Sequence, residues 1–248
     1  MNLLLTLEAI KFYKVKHERL VQIGFVLLYL INIAPYLLPF CDPDFTAFLA
    51  GADAFMKNPA GPLPVFSAGN WNMILMTAIA ATINLFVIFG YATMMVGEQD
   101  SRSGREIAQG FLVGLPRLLL FLVLMIVPML LSSLLFMIPV LFVVANLYLL
   151  PLLLLADRRK LAEGLQDSVK ATKGFRMMIL LQMFFMSILL SLPESLVLNF
   201  LPATLVTSYL VPTFFIVLQT FAQGRLMAMF YLFLVKKVPV MIPSKPQL

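Results

Sequence analysis

Residues 151–176, PLLLLADRRKLAEGLQDSVKATKGFR, decide how this chain is organised. The stretch leaves an apolar segment at Asp157 and meets the next one at Arg176. Between them, three apolar side chains recur every four residues and share one helical stripe: Leu161, Leu165 and Val169. A short helix with an apolar stripe and a basic flank is typical of a membrane surface. We therefore predict a surface helix over residues 158–175.

The basic residues of this stretch form a candidate surface for anionic lipid or for a protein partner. The members of this candidate surface are Arg159, Lys160, Lys170, Lys173 and Arg176.

The composition indicates that most of the chain lies in a membrane. Hydrophobic residues make up 61% of the chain, charged residues only 12%, and the mean hydropathy is +0.97. Soluble domains carry about 25% charged residues. A transmembrane helix needs roughly 20 apolar residues. The 248 residues therefore accommodate six spans with short connections and one sizeable loop.

The predicted fold is all-α: a polytopic membrane protein with six transmembrane helices in three hairpins and amphipathic helices at the cytoplasmic surface. An amphipathic basic leader (1–19) precedes a transmembrane domain (20–237), and a disordered tail (238–248) follows. The largest loop is 41–70. The predicted spans are 20–40, 71–96, two within 118–156 that are separated between Ser132 and Pro139, 177–192 and 208–222.

Two further features belong to this prediction. Pro193-Glu194 marks a kink or an exit from the fifth span, and Gly224-Arg225 begins an interfacial exit from the sixth. The three hairpins suggest a weak internal repeat, because an Arg precedes the apolar run at Arg19, Arg117 and Arg176.

The charge distribution predicts the orientation. Of the 18 Lys and Arg residues, 17 fall in the segments 1–19, 97–117, 157–176 and 225–245, and Lys57 stands alone in the opposite loop. Cytoplasmic segments of membrane proteins carry an excess of Lys and Arg. We therefore predict that both termini are cytoplasmic. The same distribution accounts for the net charge of +6 by topology and anionic lipid, and it argues against nucleic acid as a partner.

The residues that enzymes use are sparse in this sequence. One cysteine, Cys41, excludes an intramolecular disulfide, and one histidine, His17, excludes a site built from several histidines. There is no phosphate-binding loop, nucleophile elbow, HExxH motif or pair of intramembrane carboxylates. We therefore predict a protein that is not an enzyme and has no catalytic residue, cofactor or metal.

Several polar residues allow two interpretations each. Gln219, Gln223 and Arg225 form a candidate polar track in the last span; alternatively, Arg225 extends to the cytoplasmic edge. Glu194 is either a functional intramembrane carboxylate or a hydrated end residue. Amides within the spans either hydrogen-bond between helices or bind a substrate, and they are Asn32, Asn84, Asn146 and Gln182.

The long loop carries an acidic group. Asp42-Pro43-Asp44 together with Asp53 can bind a divalent cation through carboxylate oxygens. The same residues also fit a solvated loop in which Pro43 fixes a turn.

Several runs resemble a known family. LLFMIPVLFV (134–143), LLAD (154–157), TKG (172–174) and LLQMFF (180–185) are similar to the bacterial domain-of-unknown-function 975 family. The membrane domains of glycerophosphodiester phosphodiesterases are similar relatives. The resemblance spans roughly residues 90–185. It implies a multi-span protein of the bacterial inner membrane, with a surface helix between the fourth and fifth spans. It supplies no catalytic residue.

Two functions from different classes remain open in the sequence. The first is a non-enzymatic membrane scaffold or partner-binding subunit, which rests on anionic lipid and contacts a protein partner or copies of itself. The second is a transport subunit such as the permease of a type-2 ABC exporter, because that class also has six spans, a basic leader and a polar segment after the second span. Residues 98–117 loosely resemble that segment.

Overall fold

The computed structural model describes residues 4–133, 138–202 and 204–238. The predicted disordered tail lies, apart from Val238, outside the described residues. All regular elements in this part of the chain are helices. They are α1 (Leu4–Ala9), α2 (Glu18–Leu37), α3 (Thr46–Lys57), α4 (Ala68–Gln99), α5 (Gly104–Ser133), α6 (Ile138–Leu147), α7 (Leu150–Leu155), α8 (Leu161–Thr172), α9 (Arg176–Phe200) and α10 (Leu205–Leu234).

Five of these helices are long and apolar enough to cross a membrane: α2, α4, α5, α9 and α10. This confirms an all-helical chain of membrane-protein character. The apolar stretch Pro139–Leu155 is a shorter case, divided into α6 and α7 with a turn at Tyr148 and Leu149. At 1.5 Å per residue, helices of 10 and 6 residues rise about 15 and 9 Å, far less than a hydrocarbon core of about 30 Å. The described residues thus contain five candidate spans, and the predicted topology of six spans in three hairpins stays a prediction.

Pro151 gives a physical reason for the division of the predicted fourth span. It lies in the first turn of α7, where its missing N–H and fixed φ are tolerated, but it cannot donate within a continuous helix from α6.

At both positions where an exit from a predicted span was one expectation, the helix continues. α9 runs through Pro193 to Phe200, so Glu194 lies inside the helix and is half-buried. α10 runs through Gly224 to Leu234. α10 approaches α4 closely at Gly224. A Cβ on Gly224 would lie 2.9 Å from the Ile88 carbonyl oxygen of α4. Small residues allow such backbone contact between helices.

The leader and the long loop also differ from prediction. The described part of the leader is helical only over α1, and Leu5, Thr6 and Ala9 are buried, so it is not a helix lying on the surface. The long loop contains the helix α3, which the Pro- and Gly-rich sequence did not indicate.

The chain divides into two compact units, with boundaries after the first residue of α2 and inside α4, α9 and α10. The larger unit comprises residues 1–18, 86–193 and 218–248, and the smaller unit comprises residues 19–85 and 194–217.

The core of the larger unit is built around α7, whose six residues are all buried. α5 contacts it through a glycine: a Cβ on Gly114 would lie 2.6 Å from the Leu154 carbonyl oxygen. Leu226, Phe230 and Tyr231 of α10 are fully buried in the same unit. A helix apolar on every side and buried on every side is expected at the centre of a helical protein.

α8 packs through a face that the sequence did not predict. Its buried residues are Gly164, Ser168 and Thr172, while Val169 of the apolar stripe is exposed and Leu161 and Leu165 are half-buried. Both hydroxyls donate to the Asn146 carbonyl oxygen of α6, Ser168 at 2.9 Å and Thr172 at 3.2 Å. Small residues therefore face the protein, because they let α8 approach α6 and α7 closely, and the leucine stripe lies at the rim.

The smaller unit has its own polar and aromatic contacts. Asn32 and Asn84 exchange side-chain hydrogen bonds of 2.9 and 2.7 Å, which confirms the helix-to-helix interpretation for this pair. Tyr36 stacks on Tyr209 with ring centroids 4.3 Å apart. These contacts connect α2 to α4 and to α10 within the unit.

Candidate functional site

The structure brings together the four basic segments that the charge distribution assigned to one membrane side. All of their contacts below lie within the larger unit. Arg102 donates to the Ala156 carbonyl oxygen at 2.7 Å. Arg117 donates to the carbonyl oxygens of Arg158 and Arg159 at 2.7 and 3.0 Å. Guanidinium groups from the 100–103 connection and from α5 thus bind the backbone of residues 156–159, because each offers several donors in a rigid plane.

Asp157 is the centre of a charged group that we call the Asp157 cluster. Its members are Asp100, Arg102, Asp157, Arg159, Asp167, Tyr231 and Lys236. Lys236 lies 3.3 Å from Asp157 and 3.5 Å from Asp100, and Arg102 lies 2.7 Å from Asp100. Arg159 contacts Asp157 at 4.0 Å and also pairs with Asp167.

The buried phenol of Tyr231 completes the Asp157 cluster. Its hydroxyl donates to the Asp157 carboxylate. The cluster therefore contains three carboxylates and three cations, and each has an oppositely charged partner. These ion pairs connect the start of α5, the turn before α8 and the end of α10. Such charge-assisted bonds stabilise one arrangement of the elements that they join.

A second polar group holds the N-terminal segment. Glu8 of α1 lies 3.6 Å from Arg225 and 2.6 Å from Lys11. Arg225 also donates to the Lys14 carbonyl oxygen at 3.0 Å. Deeper in the unit, the Thr6 hydroxyl donates to the Gln182 side chain of α9, and both residues are fully buried. α1 therefore contributes Leu5, Thr6 and Ala9 to the interior of the larger unit.

Residues 12–17 are held by α4 and α10. Phe12 stacks on Phe221 with centroids 5.5 Å apart, and its carbonyl oxygen accepts from the Tyr91 hydroxyl at 2.5 Å. The Glu98 carboxylate accepts from the Lys16 and His17 N–H groups at 3.1 and 3.3 Å and contacts His17 Nδ1 at 2.6 Å. Glu98 thereby satisfies backbone donors directly before α2, which helical hydrogen bonding leaves unpaired.

The candidate polar track does not lie on one face of α10. Gln219 and Gln223 are half-buried and four residues apart, whereas Arg225 follows Gln219 by six residues and points about 120° away from it. Arg225 is only 7% exposed, so it does not extend into water as the alternative interpretation proposed. Its partners inside the unit, Glu8 and the Lys14 carbonyl oxygen, make that extension unnecessary.

The predicted lipid- or partner-binding surface is divided by the fold. Arg159 belongs to the Asp157 cluster. Arg176 is half-buried, and its Nε has no hydrogen-bond partner among the described residues. The other three side chains, Lys160, Lys170 and Lys173, are exposed and form no ion pair within the described part of the chain.

The acidic loop residues form turns. Asp42 accepts from the Asp44 N–H at 2.9 Å, and Asp44 accepts from the Thr46 N–H at 2.9 Å. Hydrogen bonds from the Thr46 hydroxyl and N–H lower the pKa of the Asp44 carboxyl below its usual value. Asp53 pairs with Lys57. Asp42 and Asp44 thus accept the hydrogen bonds of turns, as one of the two interpretations predicts. Among the described residues there is no group of three or more potential metal ligands.

Sequence reasoning missed the acidic partners of the basic residues. Glu8, Asp100 and Asp157 stand in segments that also carry Lys and Arg, which indicates ion pairs in general, but each segment contains further carboxylates. The identity of each partner was not readable, because Glu8 and Arg225 are 217 residues apart.

No family model matches the chain, and no curated protein and no solved structure matches it either. The resemblance to the domain-of-unknown-function 975 family therefore stays a prediction. The fold and the contacts define the class: an all-helical protein with five helices suited to crossing a membrane.

Proposed function

We propose that this protein is a non-enzymatic scaffold of the bacterial inner membrane, with both termini in the cytoplasm. Its cytoplasmic face rests on anionic lipid and contacts a protein partner or a second copy of the chain. The observation that carries this proposal is the exposed lysine set of Lys160, Lys170 and Lys173 on and beside α8. Arg159 is engaged in the Asp157 cluster and Arg176 is half-buried, whereas these three lysines are exposed and form no ion pair among the described residues.

The physical basis is electrostatic. Each Lys or Arg near an anionic membrane surface contributes about 1 kcal/mol of attraction. The three lysines and the rim leucines of α8 together present charge and apolar surface, as an interfacial helix does. α8 also packs on α6 and α7 through Gly164, Ser168 and Thr172, so the lysines are displayed from a fixed support.

The fold favours this function over an exporter permease. α4 ends at Gln99 and α5 begins at Gly104, so only residues 100–103 separate them. Residues 104–117, the larger part of the segment 98–117 that loosely resembles the polar segment of that class, are the first turns of α5. A separate cytoplasmic helix after the second span, which would contact an ATPase, is therefore not present in this connection.

The test is site-specific photo-cross-linking in native membranes. A photoreactive amino acid replaces Lys170 or Lys173, and Arg117 serves as the matched control because its side chain is bound to the 157–160 turn. We expect discrete adducts with one protein, or with a second copy of the chain, from the lysine positions and not from position 117.

Three results would contradict the proposal in different ways. Adducts with lipid alone would remove the partner, and adducts with an ATPase would favour the transport subunit. Equal adducts at all three positions would show that the lysine set is not a specific surface.

A further inference from the structure

The segment that joins α2 to α4 in the smaller unit exposes an unusual amount of apolar surface. Residues 45–67, which we call the α3 hairpin, contain α3 and the chain that returns along it. Four of its large apolar side chains are mostly exposed: Leu49 (63%), Met56 (73%), Leu63 (70%) and Val65 (78%). Single exposed apolar residues are ordinary, but a group of this size in one loop indicates a binding surface.

The helix α3 has three distinct sides. Phe48 stacks on Phe66 with centroids 3.9 Å apart, which fixes one side against the returning chain. Leu49 and Met56 are seven residues apart and share a second side. Asp53 lies four residues after Leu49 and pairs with Lys57 at the border of this second side, and Ala50 lies on the third. The exposed apolar side is thus separate from the side that the hairpin uses for its own packing.

The charge content of the α3 hairpin is too low for a loop in water. Its 23 residues contain two charges, Asp53 and Lys57, and these neutralise each other at 2.6 Å. Soluble domains carry about one charged residue in four. We therefore expect the exposed apolar side chains of the hairpin to contact a partner that is itself apolar and uncharged.

Hydrogen bonds fix where the α3 hairpin begins. Asn72 in the first turns of α4 donates to the Phe40 carbonyl oxygen at 2.9 Å. Asn70 donates to the carbonyl oxygens of Asp42 and Asp44 at 3.0 and 2.8 Å. The hairpin therefore starts beside the first turn of the candidate span α4 and not at a distance from it.

Aromatic contacts also place the α3 hairpin beside the first turn of α4. Phe66 meets the Trp71 ring edge-on, with centroids 5.2 Å apart. Trp71 is in the first turn of α4, and tryptophan at the end of a span prefers the membrane interface. Leu37 at the end of α2 and Trp71 are mostly exposed, as are the four apolar side chains of the hairpin.

We propose that the α3 hairpin lies in the membrane interface and that Leu49, Met56, Leu63 and Val65 contact lipid acyl chains there. The partner is the lipid bilayer, because the hairpin is anchored at the ends of two candidate spans, carries no net charge and exposes apolar side chains as those ends do. This surface is distinct from the lysine set of α8, and it does not depend on the proposed scaffold function.

Spin labels on the full chain in lipid nanodiscs test the proposal. Cys41→Ser removes the native cysteine, and Leu49→Cys, Met56→Cys and Ala50→Cys are then labelled one at a time. We expect collisions with oxygen, which concentrates in lipid, to dominate at positions 49 and 56. Collisions with a water-soluble nickel complex are expected to dominate at position 50, the matched control on the same helix.

Two further labelled positions ensure that the result does not depend on one substitution that prevents folding. Leu63→Cys and Val65→Cys lie outside the helix and carry the same expectation as positions 49 and 56. Fluorescence of Trp71, the one tryptophan of the sequence, checks that each labelled chain keeps its aromatic contact. High nickel accessibility at all positions would overturn the proposal in favour of a loop in water. Shielding of positions 49 and 56 from both reagents would overturn it in favour of a protein partner.

Discussion

Arg225 shows at the scale of single residues why the N-terminal segment belongs to the fold. It is buried, and its charge is compensated by Glu8 and by the Lys14 carbonyl oxygen. A buried cation is costly unless it is paired and hydrogen-bonded. The irregular chain between α1 and α2 is therefore stabilised by the charge that it covers.

Removing Glu8 tests this compensation. We expect Glu8→Ala to lower the free energy of unfolding by about 3–5 kcal/mol, because it leaves the Arg225 charge buried without its carboxylate. The measurement is equilibrium unfolding in mixed detergent micelles followed by circular dichroism.

The matched control removes the other partner of Glu8. Lys11 is more exposed than Arg225, so Lys11→Ala should cost only about 0–1 kcal/mol, as is usual for surface pairs. Equal losses in Glu8→Ala and Lys11→Ala would show that the Glu8–Arg225 contact is not a stabilising one.

At the scale of elements, the decisive contacts are made by glycines and small polar residues. Gly114 lets α5 reach the backbone of α7, and Gly164 lets α8 reach Leu150, where a Cβ would lie 3.0 Å from the Leu150 Cδ1 atom. In an apolar solvent, burial of leucine provides little preference for one helix over another, so close approach and hydrogen bonds select the partners.

The same substitution at two glycines of α5 tests this account. A Cβ at Gly114 would meet the Leu154 carbonyl oxygen and the Leu155 Cα atom at 2.6 and 3.0 Å, and backbone atoms cannot move aside cheaply. We expect Gly114→Ala to destabilise the protein by about 1–3 kcal/mol, the usual cost of overpacking. Thermal unfolding in detergent measures the difference.

Gly104 at the start of α5 is the control, since no atom lies within 4 Å of a Cβ placed there. Gly104→Ala should be neutral or stabilise the protein by up to about 1 kcal/mol, because alanine is the better helix former. A neutral Gly114→Ala would mean that α5 and α7 are farther apart than the structure places them.

At the scale of the whole molecule, the basic segments are connected to one another within the larger unit, and the membrane side on which they lie stays a prediction. The segments assigned to one membrane side by their Lys and Arg content contact one another through Arg102, Arg117 and Lys236 in the larger unit. The loop with Lys57 belongs to the smaller unit.

Thiol labelling tests the proposed orientation in intact cells. Cys41 is the one cysteine of the sequence and begins the long loop, so we expect a membrane-impermeant maleimide to label the native chain from outside. The variant Cys41→Ser/Lys170→Cys should be labelled only after the membrane is permeabilised. Labelling of position 170 in intact cells would reverse the orientation and contradict the cytoplasmic placement of the lysine set.

Composition and charge pattern alone determined that the chain is helical and suited to a membrane, because about 20 apolar residues are needed to cross a bilayer and few charges are tolerated there. They also identified four basic segments and the exposed lysines among the candidate surface residues.

Only the tertiary structure decided which apolar runs become long helices and which face of α8 is buried. It also decided which charged side chains form ion pairs within the protein. Residues 139–155 carry no charge and are apolar except for Asn146, so the division at Tyr148 and the burial of α7 had no periodic signature. The Glu8–Arg225 and Asp157–Lys236 pairs join residues far apart in sequence. Such pairs are selected by the geometry of the packed helices, which no local pattern encodes.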